Sequence, residues 1–154
     1  MQKQNICIDY EGRQYLGWDF DKLPLAAALL AAALQVDQAA DQARSAVLGD
    51  PLRAVEYRMT SDEAERFAAA GYAGEVPPTV QAWMDAAGLD AQAATDSILH
   101  EARAWKGAIY AIRAERLKGK QEVLKATSHG QGEALTDAAI AAIKARIQGV
   151  GNAV

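Results

Sequence analysis

The sequence predicts a mainly α protein: an N-terminal β-hairpin followed by helices in a bundle or coiled-coil-like assembly, with one long helix near residues 90–126. Three observations carry this expectation. Residues 90–126 contain no proline, and Ile98, Ala102, Trp105, Ile109 and Ile112 recur at alternating steps of four and three, the spacing of one helix face. An alanine-rich run at 24–48 repeats that spacing. Two-residue alternation of apolar and polar positions marks paired strands at residues 5–18.

The hairpin comes first. Ile6, Ile8 and Tyr10 alternate with polar or small neighbours, Glu11-Gly12 supplies the turn, and Tyr15, Leu16 and Trp18 carry the return strand. A two-stranded hairpin is marginal alone in water, so it needs its own helices, a neighbouring subunit or a foreign sheet edge to lie against. Cys7, the only cysteine, excludes an internal disulfide and reads as a small buried hydrophobe within the strand.

Asp21-Lys22-Leu23-Pro24 breaks the chain and opens a helix from Pro24 to Leu48. Its seam is Leu25, Leu29, Ala32, Val36, Ala39, Ala43 and Ala46. So many small residues let helix axes approach closely, either between subunits or within one chain. Gly49 ends this helix, Asp50 caps the next and Pro51 takes its first position. Val55, Tyr57 and Met59 alternate as a strand would. However, Leu52, Val55, Met59 and Phe67 fit a helix, and a capping-box pattern at 60–63 supports helix throughout 52–70.

Gly71 and Gly74 end that helix, with Tyr72 covering its cap, and Pro77-Pro78 forms the sharpest boundary in the chain. A short helix, Thr79–Ala87, presents Val80, Trp83 and Met84 and stops at Gly88. Asp90 then caps the long helix, in which Gly107 and Gly119 each cost about 1 kcal/mol relative to alanine. Leu99, Tyr110, Leu117 and Leu124 widen its apolar face, and Trp105 is expected as a buried anchor mid-stripe. The run Thr127–Glu133 reads as a flexible linker. Thr136 is expected to cap a last helix ending near Gln148, with Ile140, Ile143 and Ile147 on one face, before a loose tail at 149–154. The resulting segments are 1–22, 23–49, 50–126 and 127–154.

Composition narrows function. Hydrophobic residues form 51% of the chain and aromatics only 6%, so the helices have good propensity and little bulk to bury, which favours close helix packing, often between subunits. The net charge of −4 argues against a nucleic-acid role for the whole chain. No signal-peptide pattern opens the sequence, and Leu23–Leu34 is shorter than the roughly 20 residues that span a bilayer, so a soluble protein made in the cytoplasm is expected, with no membrane partner.

Residues 78–99 have the outline of a helix-turn-helix. However, the front of its second helix, where a DNA reader needs basic or amide groups, holds Asp90, Gln92, Thr95 and Asp96 with Asp85 nearby, and the acidic groups there repel phosphate. The far half of the long helix is basic, with Arg103, Lys106, Arg113, Arg116, Lys118, Lys120 and Lys125. This is a nucleic-acid footprint, or a solvated face with its own ion pairs, or a surface facing an acidic neighbour. His100 and His129 lie on different elements and lack clustered ligands. No nucleotide-binding or nucleophile motif is present. The expectation is a protein that is not an enzyme and uses no cofactor and no metal.

The segments D-P-L-R-A-V-E-Y (50–57), A-G-Y-A-G-E-V-P-P-T-V-Q-A-W (70–83) and A-R-A-W-K-G-A-I-Y-A-I-R-A-E-R-L-K-G-K (102–120) resemble, in that order, a family of small tail proteins of tailed bacteriophages, encoded near tail-fibre genes. The resemblance covers residues 50–126 and carries packing motifs, not catalytic residues. It implies a structural virion tail component that links or supports fibre or tail-tip subunits. The alternatives are an assembly chaperone absent from the finished particle, and a cytoplasmic helical regulatory or nucleic-acid-binding protein. Phage fibres are commonly trimeric, so the resemblance favours a homotrimer that contacts other tail or fibre proteins. The residues expected at the interface are Ile6, Ile8, Tyr10, Tyr15 and Trp18 of the hairpin, Leu25, Leu29 and Val36 of the alanine-rich helix, and Ile98, Trp105, Ile109 and Ile112 of the long helix.

Overall fold

The computed structural model describes residues 1–148. The hairpin strands are β1 (Ile6–Tyr10) and β2 (Arg13–Trp18), followed by a 3₁₀ turn at Phe20–Lys22. The helices are α1 (Leu25–Leu48), α2 (Pro51–Ala69), α3 (Pro78–Ala87), α4 (Ala91–Leu124) and α5 (His129–Ala145). The fold is therefore mainly α with an N-terminal antiparallel hairpin. Contacts group the described residues into two compact units, 1–46 with 109–148, and 47–108; α4 contributes to both.

In the first unit the hairpin turns through Glu11 (φ 48°) and Gly12 (φ 75°), two successive left-handed residues that match the twist of antiparallel strands. Ile8 pairs with Tyr15 and Ile6 with Trp18, so β2 carries one extra residue between the two pairs. Gly17 (φ 73°) absorbs this bulge and brings Trp18 back to the side of Tyr15, where the two rings meet edge to face at 5.4 Å. Ile6, Ile8 and Tyr15 are buried, whereas Cys7 is exposed. The expectation of a buried cysteine fails because alternation places Cys7 on the opposite face from Ile6 and Ile8.

Helix α1 is enclosed on a broad face: Ala27, Ala28, Ala31, Ala32, Val36, Ala39, Ala40 and Ala43 are all buried. Alanine fills so little space that this burial requires close axes, and two glycines permit them. A methyl group at Gly119 of α4 would lie 2.5 Å from Ala139 Cβ of α5 and 3.6 Å from Val36 Cγ1 of α1. A methyl at Gly132 of α5 would lie 2.5 Å from Leu29 Cδ2 and 3.7 Å from Phe20 Cζ.

The segment expected as a linker is the start of α5. Ser128 caps it, accepting from the Gln131 amide at 3.2 Å. Thr136, expected as a cap, is instead fully buried inside the helix, where its hydroxyl donates to the Gly132 carbonyl at 2.7 Å. The glycines that suggest flexibility serve packing here, because Gly132 is where α5 meets α1. Ile143 is fully buried, with Ile140 and Ile147 half-buried beside it. The tail expected at 149–154 lies outside the described residues.

In the second unit Asp50 caps α2 through the Leu52 amide at 2.7 Å. Tyr72 (φ 58°) closes its other end, donating its amide to the Phe67 carbonyl at 3.0 Å and its hydroxyl to Asp96 Oδ1 at 2.8 Å. Gly88 (φ 67°) ends α3, and Asp90 caps α4 through the Ala93 amide at 2.8 Å. Ala64, Val80, Ala94 and Leu99 form the core, with Trp83, Met84, Val76 and Ile98 packed around it.

The stripe on α4 differs from the expected one. Its buried positions are Ala94, Leu99, Ala108, Ile112 and Val123, whereas Ile98, Trp105 and Ile109 are only half-buried. A shift of one residue turns a helix face by about 100°, so the core meets the flank of the sequence stripe. Trp105 is thus not the enclosed anchor expected, and its indole N–H is buried without an acceptor.

Gly119→Ala is expected to destabilise the protein by about 1–2 kcal/mol, because overpacking of about 1–3 kcal/mol outweighs the gain in helix propensity. Gly107, which has nothing within 4 Å of an added methyl, is the control: Gly107→Ala should stabilise by about 0.5–1 kcal/mol. Urea midpoints that move in opposite directions would bear this out.

Candidate interaction surfaces

The largest charge constellation lies in the first unit. Asp37 on α1 receives Arg116 Nη1 at 3.0 Å on one oxygen and Lys120 Nζ on the other, and all three side chains are largely withdrawn from solvent. Arg116 and Lys120 are four apart on α4, so both reach the same carboxylate. Arg116 Nε is buried without a partner. One carboxylate holding two cations is a brace between helices and contains no proton acceptor poised against a nucleophile. Arg146 further joins α5 to Glu115 of α4 at 2.6 Å. The N-terminal amine pairs with Asp137, and Lys3 with Glu133, whose hydrogen bond raises the lysine pKa above 10.5.

Most of the basic half of α4 is therefore engaged within the chain. Lys106 meets Glu65 at 3.0 Å and holds that carboxyl below its ordinary 4.5, and Lys118 lies 4.0 Å from Glu122. Arg103, Arg113 and Lys125 have no anionic partner among the described residues. The footprint that the sequence offered to nucleic acid is correspondingly reduced.

The histidines remain apart. His129 sets Nε2 2.9 Å from the Leu23 carbonyl and its ring edge-on to Phe20, while His100 is exposed. Among the described residues, no group of three His, Cys, Asp or Glu side chains could hold a metal ion. The described residues include two open depressions. One, of about 390 Å³, lies between Cys7, Leu16 and Gln14 of the hairpin and Leu30 and Leu34 of α1. The other, of about 340 Å³, is bounded by Phe67, Arg66, Glu75 and Pro77. Glu63 beside the second accepts from the Thr79 hydroxyl at 2.7 Å and amide at 3.3 Å, and these bonds lower its pKa below 4.5. Its role is to hold the first turn of α3.

The residues expected at an interface divide into two groups. Ile6, Ile8, Tyr15, Leu29, Val36 and Ile112 are buried within the single chain. Tyr10, Leu25, Ile98, Trp105 and Ile109 are half-buried, and Trp18 stands at the margin of exposure. The N-terminal third buries Ile6, Ile8, Tyr15, Leu29 and Val36 but leaves Leu16 and Leu34 67% and 45% exposed.

Further exposed apolar faces lie on α2 and α4. Tyr110, Leu117 and Leu124 are 70%, 44% and 44% exposed. With exposed Ala114 and Gln121 between them, they form a line of steps four and three along α4. On α2, Leu52, Val55 and Met59 are 72%, 56% and 56% exposed. Periodicity contained both signals. It could not separate a second apolar line from the widening of the first.

Protein families, curated proteins and solved structures were compared with this chain, and none matches. The surfaces therefore stand on their own geometry. Among the described residues, no helix is long and apolar enough to cross a membrane.

Two substitutions test the polar framework. Asp37→Ala leaves two largely buried cations without their carboxylate and is expected to cost about 1–3 kcal/mol in denaturant stability. Glu63 has a folded pKa below its ordinary value, so its contribution is present above pH 4.5 and is lost as pH falls through the lowered value. Glu63→Gln should flatten that acid limb in pH-dependent melting, while the native Glu63 retains it.

Proposed function

We propose that this protein is a structural component of a bacteriophage virion tail, linking or supporting tail-fibre or tail-tip subunits, and that it is made in the host cytoplasm and performs no catalysis. The observation that carries this reading is the pair of exposed apolar lines on α2 and α4. Both fall within residues 50–126, the part of the chain that resembles small phage tail proteins. A monomeric soluble protein has little reason to leave two helical stripes uncovered, whereas a tail component is completed by its neighbours. The proposed contacting surface then includes α2 and the outer face of α4, beyond the hairpin and alanine-rich helix expected from the sequence.

A second reading is favoured by one observation. Ile6, Ile8 and Tyr15 are buried within the chain, so the hairpin covers one face without a neighbour. That is how a monomeric assembly chaperone, binding fibre protein transiently, would be built. Mass spectrometry of purified virions distinguishes the two. Stoichiometric presence in the particle is expected, and presence in the infected cell with absence from virions would leave the chaperone.

A further inference from the structure

We infer that the outer face of α4 is a docking seam for an α-helix of another protein, one that carries carboxylates on both sides of an apolar stripe. This deepens the proposed tail role by naming the chemistry of a partner, and it rests on that reading only for the expectation that the protein has one.

Tyr110, Ala114, Leu117, Gln121 and Leu124 step by four and three along α4, and all five are exposed, whereas Ile112, Gly119 and Val123 of the same helix are buried. In heptad terms Tyr110, Leu117 and Leu124 occupy d positions, and Ala114 and Gln121 occupy a positions. The residues beside such a seam choose its partner, because their charges meet those of the opposing helix. Arg113 and Lys120 stand on one side, and Lys118 and Lys125 stand on the other with Ala111. Every charged flanking position is therefore basic. Asp37 holds Lys120, whereas Arg113 and Lys125 have no anionic partner among the described residues. Lys118 lies 4.0 Å from Glu122 with its side chain 69% exposed, a pairing weak enough to be exchanged for another carboxylate. Glu115 lies off the seam and is taken by Arg146.

These flanks select among the surfaces that could cover the seam. A second copy docking through the same residues would set basic flanks against basic flanks in either orientation, which disfavours a symmetric α4 pair. An anionic membrane would satisfy the cations, but it would carry the Gln121 amide toward an apolar layer that offers it no hydrogen bond. Nucleic acid would use the cations and leave Tyr110, Leu117 and Leu124 between them without a role. A helix with acidic flanks answers all three features. Its apolar stripe packs on Leu117 and Leu124, its carboxylates meet Arg113, Lys118 and Lys125, and a polar side chain opposite Gln121 sets the register. The seam lies on one helix within one compact unit, so a single chain presents it whole.

The experiment uses the full chain and, as probes, two synthetic amphipathic helices of about three heptads with leucine seams, one flanked by glutamate and the other by lysine. In fluorescence anisotropy the glutamate peptide should bind, more weakly as salt rises, and the lysine peptide should not. Leu117→Glu should weaken the glutamate peptide at least about tenfold and leave the far-ultraviolet circular dichroism spectrum unchanged. Leu124→Glu replaces that variant if its spectrum changes. Arg113→Glu, Lys118→Glu and Lys125→Glu combined should reverse the preference, so that the lysine peptide binds and the glutamate peptide does not. No binding of the glutamate peptide, equal binding of both peptides, or binding unmoved by Leu117→Glu would each overturn the inference. So would tighter binding of phosphatidylserine vesicles or duplex DNA that Leu117→Glu abolishes, or self-association of the wild type that the same substitution abolishes. Virion mass spectrometry is unaffected by these outcomes, so the tail role stands or falls separately.

Discussion

The close approach of α1, α4 and α5 in the first unit is the constraint on which most of that unit depends. Alanine side chains offer little area, and dispersion between them is appreciable only when backbones are nearly in contact. Gly119 and Gly132 provide that proximity at the points where a methyl group would meet Ala139 and Leu29 at 2.5 Å. Each glycine costs about 1 kcal/mol of helix propensity, and the broad buried face of α1 offsets it. Without this spacing Asp37 could not reach Arg116 and Lys120 together, nor could Phe20 lie close to Gly132 of α5.

The second unit is held differently. Its apolar core is small, and polar contacts position its short elements: Asp50 and Asp90 as caps, Glu63 on the first turn of α3, and Tyr72 joining the end of α2 to Asp96 of α4. These are local geometric locks, each giving a helix-terminal amide or a hydroxyl a partner within the chain. Cores of this kind specify shape without requiring bulk, which suits a chain whose aromatic content is low.

Helix α4 connects fold to function. One side, through Ile112, Gly119 and Val123, is committed to the core, and the other carries Tyr110, Leu117 and Leu124 into solvent. A helix apolar on two sides is either deeply buried or awaiting a partner. Here the charges flanking the outer line are basic, and those along the exposed stripe of α2 are of both signs. The proposed scaffolding role requires exposed apolar surfaces of this kind.

The sequence by itself determined the element types and most of their ends. Alternation marked the hairpin, Asp50-Pro51 and Asp90 marked helix starts, and Gly88 marked a stop, because each rests on local backbone chemistry. Tertiary structure decided what local rules could not. Gly132 and Thr136 read as linker and cap, but the contact of α5 with α1 places both inside a helix. Cys7 lies on the outer face because the hairpin packs through Ile6 and Ile8. The interface was legible only as a surplus of apolar positions: periodicity reports that a face is apolar, whereas the arrangement of neighbouring helices decides which apolar face is covered. For Ile6, Ile8, Leu29, Val36 and Ile112 the cover is the chain itself, and for Leu52, Met59, Tyr110 and Leu117 the single chain provides none.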